Sequence, residues 1–406
     1  MRRLLVMSAA GLALAAGPAA AQEVTASGSL GAGVFDGQAA SSLEIGLDLA
    51  GAGYAVGFGA GARWLAEDGF RGEEWDEASE WARLLRYALY RWPSEEEAAV
   101  SAALGELGGA TLGHGALIDG YAGGLDVDHG RTGAQLGAAL GRFGGELLID
   151  DVVAPRIAGA RLAMRTGRRL VLGASVAGDR AAPATDGDRT AGGVALDAEL
   201  GAGSDERRGA LYADLVHLVE PGASGAHAGA RGQLTTGALL IGGRIELRAG
   251  SDRYLPGWIG PLYERDRREL ASADGTMTGG QLEAARAGGL GGLGTAAQIE
   301  VEVIDAGSAA VGYAGRPGVS DLVSARLSAP HWRALQTGFW AAAEIEEGEA
   351  EAMAMALELR VRLPGRMFVR GEAARLYRED PTGAYQPIWL AQIALGSVVG
   401  EPPVSR

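Results

Sequence analysis

Residues 356–373 read ALELRVRLPGRMFVRGEA, and their apolar and charged residues alternate with a period of two. The apolar positions of the first half are Leu357, Leu359, Val361 and Leu363, and the charged ones between them are Glu358, Arg360 and Arg362. Alternate side chains of a β-strand point to opposite faces, whereas no face of a helix could collect either set. Pro364 to Arg366 form a tight connection, after which the alternation resumes at Met367. The stretch therefore predicts a β-hairpin.

The same alternation recurs from one end of the chain to the other. Clear segments lie at 43–49, 54–63, 194–200, 243–248 and 298–303, with weaker ones in the intervals between them. Repetition on this scale, without helical periodicity between the segments, predicts about 16–22 strands. Two all-β classes are open at this point: a closed transmembrane barrel, and a large soluble β protein such as a propeller or a solenoid.

The start of the chain predicts export. Arg2 and Arg3 precede an apolar stretch from Leu4 to Ala16, and Ala19 and Ala21 supply small residues for cleavage before Gln22. The apolar stretch is shorter than the roughly 20 residues that a membrane-spanning helix needs. We therefore expect a signal peptide at 1–21 and one barrel domain at 22–406.

Composition excludes several classes of protein. The chain has no cysteine, so it can form neither a disulfide framework nor a thiolate metal site. Its formal net charge of −15 becomes −17 when Arg2 and Arg3 leave with the signal peptide. Such an acidic chain lacks the electrostatic attraction on which nucleic-acid binding depends. Each of the 67 glycines would weaken a helix by about 1 kcal/mol, which favours strands and turns.

Connection lengths and aromatic positions favour the membrane barrel. The connections at 50–53, 166–169, 235–237 and 364–366 are short, whereas 66–80 is long and acidic, as expected of periplasmic turns and outer loops. A second outer loop is expected at 35–41. Aromatic rings settle at headgroup depth in membrane barrels. The residues predicted to do so lie near strand ends and are Trp64, Trp81, Tyr90, Trp92, Tyr254, Trp258, Tyr263, Trp332, Tyr377 and Trp389.

Residues 105–115, GELGGATLGHG, resemble porin strands in which a glycine-rich turn leads into Thr-Leu-Gly and a polar residue. Together with the export signal and the loop lengths, they make the mature chain similar to a porin-type outer-membrane protein of Gram-negative bacteria. The resemblance implies contact with outer-membrane lipid, passive diffusion of small hydrophilic solutes and, by analogy alone, a trimer. The chain departs from the family at its end, because the strand at 388–399 runs on to Arg406 instead of closing on an aromatic residue. That departure favours the soluble alternative.

Charged residues opposite the apolar strand faces are the candidates for lining a polar lumen, where they would set solute preference. They are Arg63, Asp197, Glu199, Arg244, Glu246, Arg248, Glu300, Glu302, Glu358, Arg360, Arg362, Arg370 and Glu372. The alternative role is structural, since Arg360 or Arg362 could pair with Glu372 across the wall.

The segment after the porin-like run supplies candidates for an inward-folded constriction loop, namely Asp119, Asp126 and Asp128. A solvated turn is the alternative. The acidic segment at 66–80 either collects divalent cations or forms a solvated face.

No sequence motif for catalysis or metal binding accompanies these charges. The five histidines form neither HExxH nor an i, i+4 pair, and the chain has neither Gly-x-Ser-x-Gly nor a phosphate-binding loop. We therefore expect no enzyme, cofactor, metal or nucleic-acid partner. A non-conducting envelope or surface protein is the main alternative to a channel, and an outer-membrane hydrolase is a weaker one.

Overall fold

The computed structural model describes residues 23–92, 98–184, 187–204, 206–268, 280–304, 306–329, 335–346, 349–380 and 385–400. The predicted signal peptide, Trp332 and the tail at 401–406 lie outside the described residues. The long strands are β1 (Glu23–Phe35), β2 (Gln38–Gly51), β3 (Tyr54–Leu65), β5 (Leu85–Trp92), β6 (Ala98–Gly105), β9 (Gly133–Leu140), β10 (Phe143–Ile149), β11 (Ile157–Thr166), β12 (Leu170–Ala182), β13 (Arg189–Gly203), β14 (Arg207–Glu220), β15 (Ala223–Thr236), β16 (Leu239–Gly250), β17 (Gly292–Val303), β18 (Gly307–Gly315), β19 (Asp321–Ala329), β20 (Leu335–Glu346), β21 (Glu349–Arg362), β22 (Met367–Glu379) and β23 (Tyr385–Val399). Minor strands are β4 (Gly69–Phe70), β7 (Gly108–Ala110) and β8 (Tyr121–Ala122).

The long strands close into one antiparallel barrel. Each long strand pairs with the next one along the chain, and β1 completes the ring by pairing with β23, where Leu30 lies opposite Leu395. The barrel has 20 strands, within the predicted range. Of the minor strands, β4 pairs antiparallel with the end of β3, and β7 and β8 form a small sheet of their own. The structure confirms the prediction of a single closed antiparallel barrel.

The hairpin at 356–373 shows how the alternation builds the wall. Strands β21 and β22 pair in register, with Leu359 opposite Gly371 and Arg360 opposite Arg370. Leu359 is exposed on the outside of the ring, whereas Arg360 lies over the buried ring of Phe368. The two faces are therefore sorted as the sequence predicts.

The outer face of the barrel is apolar around the whole ring. The side chains exposed by 60 % or more include Leu30, Ile45, Leu162, Leu196, Leu215, Ile245, Leu293 and Ile393. A continuous apolar surface of this extent is unfavourable in water and favourable against lipid, because transfer of apolar area out of water contributes about 25 cal/mol per Å². Closure of the ring leaves no sheet edge unpaired in a bilayer. The barrel is thus of the membrane-spanning kind.

Connections alternate in length around the ring. At the end that carries Glu23 and Gly400, called here the short-turn end, they are turns such as 52–53, 141–142 and 237–238. The opposite, long-loop end carries the segments at 66–84, 106–132 and 251–291. The helices α1 (Ala78–Ala82), α2 (Tyr263–Asp266) and α3 (Gln281–Ala287) all lie in these long loops. None of the described helices has the length and apolar character to cross a membrane.

The expected outer loop at 35–41 is wrong, because the chain turns there in two residues. Asp36 and Gly37 both have positive φ, 49° and 81°. This conformation matches the twist of a two-residue hairpin, and Asp-Gly is a favoured sequence for it. Strand β2 consequently begins at Gln38.

Two long loops fold into the barrel. The loop at 106–132, called here the first inner loop, contacts β16 through Asp119 and β22 through Asp126. The described residues of the loop at 251–291, which are 251–268 and 280–291 and are called here the second inner loop, contact β20 through Arg265 and, through Glu264 and its partner Arg131, Asp150 just after β10. Segments that reach strands on such different sides of the ring can do so only from inside. Their apolar side chains, among them Ile118, Tyr121, Leu255 and Ile259, form the main buried core against the wall.

This arrangement corrects two sequence predictions. The porin-like run at 105–115 is not a barrel strand, since beyond Gly105 it belongs to the first inner loop and contributes only the short β7. Four of the predicted interfacial aromatics, Tyr254, Trp258, Tyr263 and Tyr377, are at most 4 % exposed and pack inside. The exposed tryptophans agree better with the expectation, and they are Trp64, Trp81, Trp92 and Trp389.

Candidate functional site: the barrel interior

The first inner loop is fixed to the wall by charge. Its Asp119 carboxylate accepts hydrogen bonds from Arg244 at 2.6 Å and from Arg248 at 3.1 Å, both on β16. Burial alone would raise the pKa of Asp119, but the two guanidinium groups outweigh it and hold that pKa below its usual value. Glu246 on the same strand contacts Arg248 and accepts a hydrogen bond from the Tyr212 hydroxyl at 2.7 Å. These wall charges are therefore occupied by the loop and by one another.

His114 provides the second attachment of this loop. Its Nδ1 lies 3.0 Å from Asp214 and its Nε2 lies 3.0 Å from Glu199, on β14 and β13. Burial disfavours the imidazolium, yet the two carboxylates more than compensate and raise the pKa of His114 to about 9. At neutral pH the ring is therefore a cation that donates to both wall carboxylates. The neighbouring Asp197 forms an ion pair with Arg161 instead, at 2.7 Å.

The second inner loop is tied to the first by Glu264. Its carboxylate accepts hydrogen bonds from Arg131 at 2.6 Å, Arg156 at 2.8 Å and the Tyr121 hydroxyl at 2.6 Å. Glu264 is only 1 % exposed. Buried charges are tolerated when they are paired and fully hydrogen-bonded, as here.

Buried ion pairs also hold the next residues of the second inner loop to the wall. Glu344 of β20 accepts hydrogen bonds from Arg265 at 2.5 Å and from Arg316 at 2.7 Å. Asp179 of β12 pairs with Arg267 at 3.1 Å. None of these residues could be predicted from the sequence, because their partners lie far away in the chain and no local spacing marks them.

The remaining constriction-loop candidates attach the first inner loop to β22. Asp126 contacts His129 at 2.9 Å and accepts a hydrogen bond from the Tyr385 hydroxyl at 2.9 Å, while Asp128 pairs with Arg71 and with Arg378 at 3.2 Å. The Asp126 hydrogen bond raises the pKa of His129 to about 9, against the opposing effect of burial. All three predicted carboxylates therefore lie in a loop inside the barrel and anchor it.

The backbone of this loop also completes the wall. Pairing between β21 and β22 runs from Arg362 opposite Phe368 only as far as Met355 opposite Arg375. Beyond that point, Tyr377 donates its N–H to the Leu125 carbonyl at 2.9 Å and accepts from the Val127 N–H at 3.0 Å. Residues 125–127 thus occupy the edge of β22 that β21 leaves unpaired, and satisfy its backbone groups.

The inner wall therefore has two parts. In the covered wall, the inner face of β10 to β16, the charged residues beneath the inner loops are buried, and Asp197, Asp214, Glu246 and Arg248 are all at most 7 % exposed. In the open wall, the arc from β21 through β23 and β1 to β5, charged residues are reached by solvent. Arg86, Glu44 and Glu372 have side-chain exposures of 49 %, 32 % and 30 % there, and Glu358 and Arg362 are exposed.

The predicted wall pairs of Arg360 or Arg362 with Glu372 are wrong, and the register explains why. Like charges face each other, Arg360 opposite Arg370 and Glu358 opposite Glu372. Arg370 is bound instead by Glu44 of β2, and Glu372 accepts a hydrogen bond from Gln392 at 2.6 Å. Like charges directly opposite are destabilising unless they are hydrated or paired elsewhere.

The last three lumen candidates lie towards the two ends of the barrel. Arg63 is at the long-loop end, 2.5 Å from Glu74 of the outer loop. Glu300 and Glu302 are exposed near the short-turn end, at positions in phase with the buried Ala296 of β17. Close to Arg63, a cavity of about 300 Å³ is lined by charged residues that include Arg71, Asp128, Arg378 and Glu379.

Comparisons with known proteins give only distant structural likenesses. No protein-family model and no curated protein matches the chain. Among solved structures, the outer membrane protein OpdK of Pseudomonas aeruginosa aligns with a TM-score of 0.34 at 10 % identity, over 94 % of this chain and 99 % of that one. OccAB2 of Acinetobacter baumannii aligns with a TM-score of 0.35 at 12 % identity, over 94 % and 98 % of the two chains. At such values, the barrel assignment rests on the strand pairing of this chain alone.

Proposed function

We propose that this protein is a porin-like channel of the outer membrane, through which small hydrophilic solutes diffuse passively. The observation that carries the proposal is the open wall, where charged side chains line the inside of a closed barrel and remain in contact with solvent. Hydrated charges lower the barrier for a hydrophilic solute to leave bulk water, whereas the inner charges of a sealed barrel are expected to be paired and buried, as on the covered wall.

The open wall carries both signs of charge in similar number. Its basic residues are Arg86, Arg360, Arg362 and Arg370, and its acidic residues are Glu44, Asp48, Glu358 and Glu372. A mixed lining supports weak selectivity among ions. Near the short-turn end, Glu300 and Glu302 add negative charge, which favours cations at that mouth.

The partners of such a channel are outer-membrane lipid, held by the apolar outer face, and the solute itself. The inner loops supply the constriction, with Asp119, Asp126 and Asp128 as anchors rather than as groups that contact solute. A trimer is part of the proposal only by analogy with porins.

A non-conducting envelope protein is the second candidate, and the covered wall favours it. The two inner loops bury a core of their own against β10 to β16. If that core extends far enough across the lumen, the barrel is a closed scaffold.

Fractionation followed by conductance recording separates the candidates. The chain is expressed with its predicted signal peptide, residues 1–21, and the outer-membrane fraction is run unheated and boiled on a denaturing gel. The channel proposal expects a heat-shifted band in that fraction and discrete conductance steps in a planar bilayer. Folded, heat-shifting barrels that give no conductance steps would overturn it in favour of the scaffold.

A further inference from the structure

Three neighbouring strands of the covered wall bring together three side chains of the types that bind metal ions. Asp214 lies on β14, His227 on β15 and Glu246 on β16, and Asp214 is directly opposite His227. One ligand atom from each lies within 4.8 Å of the other two. All three residues are at most 3 % exposed. One nitrogen and two carboxylate oxygens at this spacing can surround a single ion.

Two side-chain atoms of these residues make no hydrogen bond to any described residue. Within the part of the chain that the structure describes, neither His227 Nδ1 nor Asp214 Oδ2 has a hydrogen bond, although both are buried. Glu246 Oε1 lies 3.4 Å from His227 Nδ1. A buried polar atom left unsatisfied costs about 1–3 kcal/mol. Two such atoms, on residues whose ligand atoms converge, point to a bound group between these residues.

The other atoms of the three residues are already held by neighbours. His227 Nε2 lies 2.7 Å from the Tyr254 hydroxyl, so that a ring protonated at Nε2 donates to Tyr254 and leaves Nδ1 unprotonated. Asp214 Oδ1 accepts from His114, and Glu246 Oε2 accepts from the Tyr212 hydroxyl. Metal-binding histidines typically donate their second ring N–H in this way, and ligating carboxylates are also hydrogen-bonded.

The charge around this point is negative. The connected network of wall and loop residues contains six carboxylates, Glu146, Asp197, Glu199, Asp214, Asp119 and Glu246. Its arginines number four, Arg161, Arg231, Arg244 and Arg248. Arg248 donates its Nε–H to Glu246 Oε1 and an Nη2–H to Asp119, so an ion at Glu246 would share that oxygen with the guanidinium group. Even with His114 protonated, the network can accept further positive charge.

Two other groups in the described chain have metal-ligand spacing, and in both the histidine already contacts a carboxylate. In the group of His114, Asp197 and Asp214, both histidine nitrogens are bound to carboxylates. In the group around Asp126, His129 and Glu379, the Asp126 oxygens already accept from the backbone and from Tyr385.

We propose that Asp214, His227 and Glu246 bind one divalent transition-metal ion of borderline softness, such as Zn²⁺, inside the wall. A water molecule completes a four-coordinate shell. The ion ties three adjacent strands together and, through Tyr254, fixes the start of the second inner loop. This site is independent of whether the barrel conducts.

Metal binding to the purified protein tests the proposal. The full chain, exported and extracted in detergent, is stripped with a chelator and titrated with Zn²⁺ against a chromophoric competitor, and with Co²⁺ to read the coordination from its visible spectrum. Wild type is expected to bind one ion, with a Co²⁺ spectrum typical of four-coordinate nitrogen and oxygen ligation. His227→Gln should weaken the affinity by at least about 100-fold, since it removes a ligand.

Two further variants keep the test decisive. Tyr254→Phe leaves the ligands in place but removes the partner of His227 Nε2, and should weaken the affinity by about 10–100-fold. His217→Gln removes an exposed histidine of β14 that contacts Ser224, and should bind like wild type. Equal Zn²⁺ affinity in wild type, His227→Gln and Tyr254→Phe would overturn the proposal, as would the absence of binding at micromolar Zn²⁺. If His227→Gln does not give a heat-shifting barrel, Tyr254→Phe decides.

Discussion

The covered wall and the open wall arise from the same strand pattern and differ in what becomes of their inner charges. On the covered wall, Asp197, Asp214 and Glu246 are removed from water and bound by the inner loops or by neighbouring side chains. On the open wall, Glu44, Glu358 and Glu372 keep contact with solvent. The pairing of a buried charge is essential, because an unpaired one costs several kcal/mol, whereas water solvates an exposed one. The same carboxylate side chains therefore stabilise the fold on the covered wall, whereas on the open wall they remain able to contact a solute.

The largest expected loss of stability comes from removing the carboxylate of Glu264, which accepts hydrogen bonds from two arginines under the covered wall. Glu264→Ala leaves Arg131 and Arg156 with only their longer contacts to Asp150, at 3.4 and 3.8 Å, and should lower the free energy of unfolding by about 3–5 kcal/mol. Denaturant unfolding followed by tryptophan fluorescence measures it, since Trp258 lies in the same core. The matched open-wall variant, Glu358→Gln, should change stability by less than about 1 kcal/mol. Similar losses in both variants would remove the distinction between the walls.

Arginine substitutions on the lipid-facing side should destabilise the barrel equally behind the covered wall and behind the open wall. Leu215 behind the covered wall and Ile393 behind the open wall are 65 % and 68 % exposed, in the middle of β14 and β23. Replacing either with arginine should cost about 2–4 kcal/mol, because both meet lipid near the bilayer midplane. Folding into vesicles measures the cost. The end-of-strand variant Val219→Arg serves as a depth control and should cost about 0–1 kcal/mol.

The ion pair of His129 with Asp126 inside the first inner loop should make stability depend on pH. The pKa of His129 in the folded protein, about 9, exceeds the usual value of 6.5. Its charge therefore stabilises the folded state fully below pH 6.5, and this contribution is lost as the pH rises through about 9. The stability difference between wild type and His129→Gln should accordingly shrink from pH 6 to pH 10. A difference that stays constant, or that persists in an Asp126→Asn background, would contradict the ion pair.

The smallest effect is expected on ion preference. Glu358→Gln and Arg362→Gln each remove one solvated charge from the open wall, and should shift the reversal potential in opposite directions under a salt gradient. Glu199→Gln on the covered wall changes a carboxylate occupied by His114 and Arg231, and should shift it less. A larger shift from Glu199→Gln would place the solute path on the covered side.

Parts of the interior could have been predicted and others could not. The sequence Asp36-Gly37 is favoured in two-residue hairpin turns, so a tight turn could have been predicted there in place of a loop at 35–41. The inner position of Asp197, Glu199, Arg244 and Glu246 follows from period-two alternation alone. No local rule gives their partners, because His114 lies 85 residues from Glu199 and 100 from Asp214. The sequence also did not predict that Arg360 would lie opposite Arg370, since the register of the two strands depends on the length of the turn at 363–366.

The sequence by itself determined the all-β class and the two faces of each strand, because these follow from the geometry of a strand. Connection lengths and aromatic residues favoured a closed membrane barrel over a soluble β protein without deciding between them. Only the tertiary structure decided that 106–132 and 251–291 fold inside, that Tyr254, Trp258 and Tyr263 belong to a core rather than to the membrane interface, and that Asp214, His227 and Glu246 converge. Those outcomes depend on contacts between segments far apart in the chain. Such contacts form only when the ring closes and brings its opposite walls within reach of the same loop.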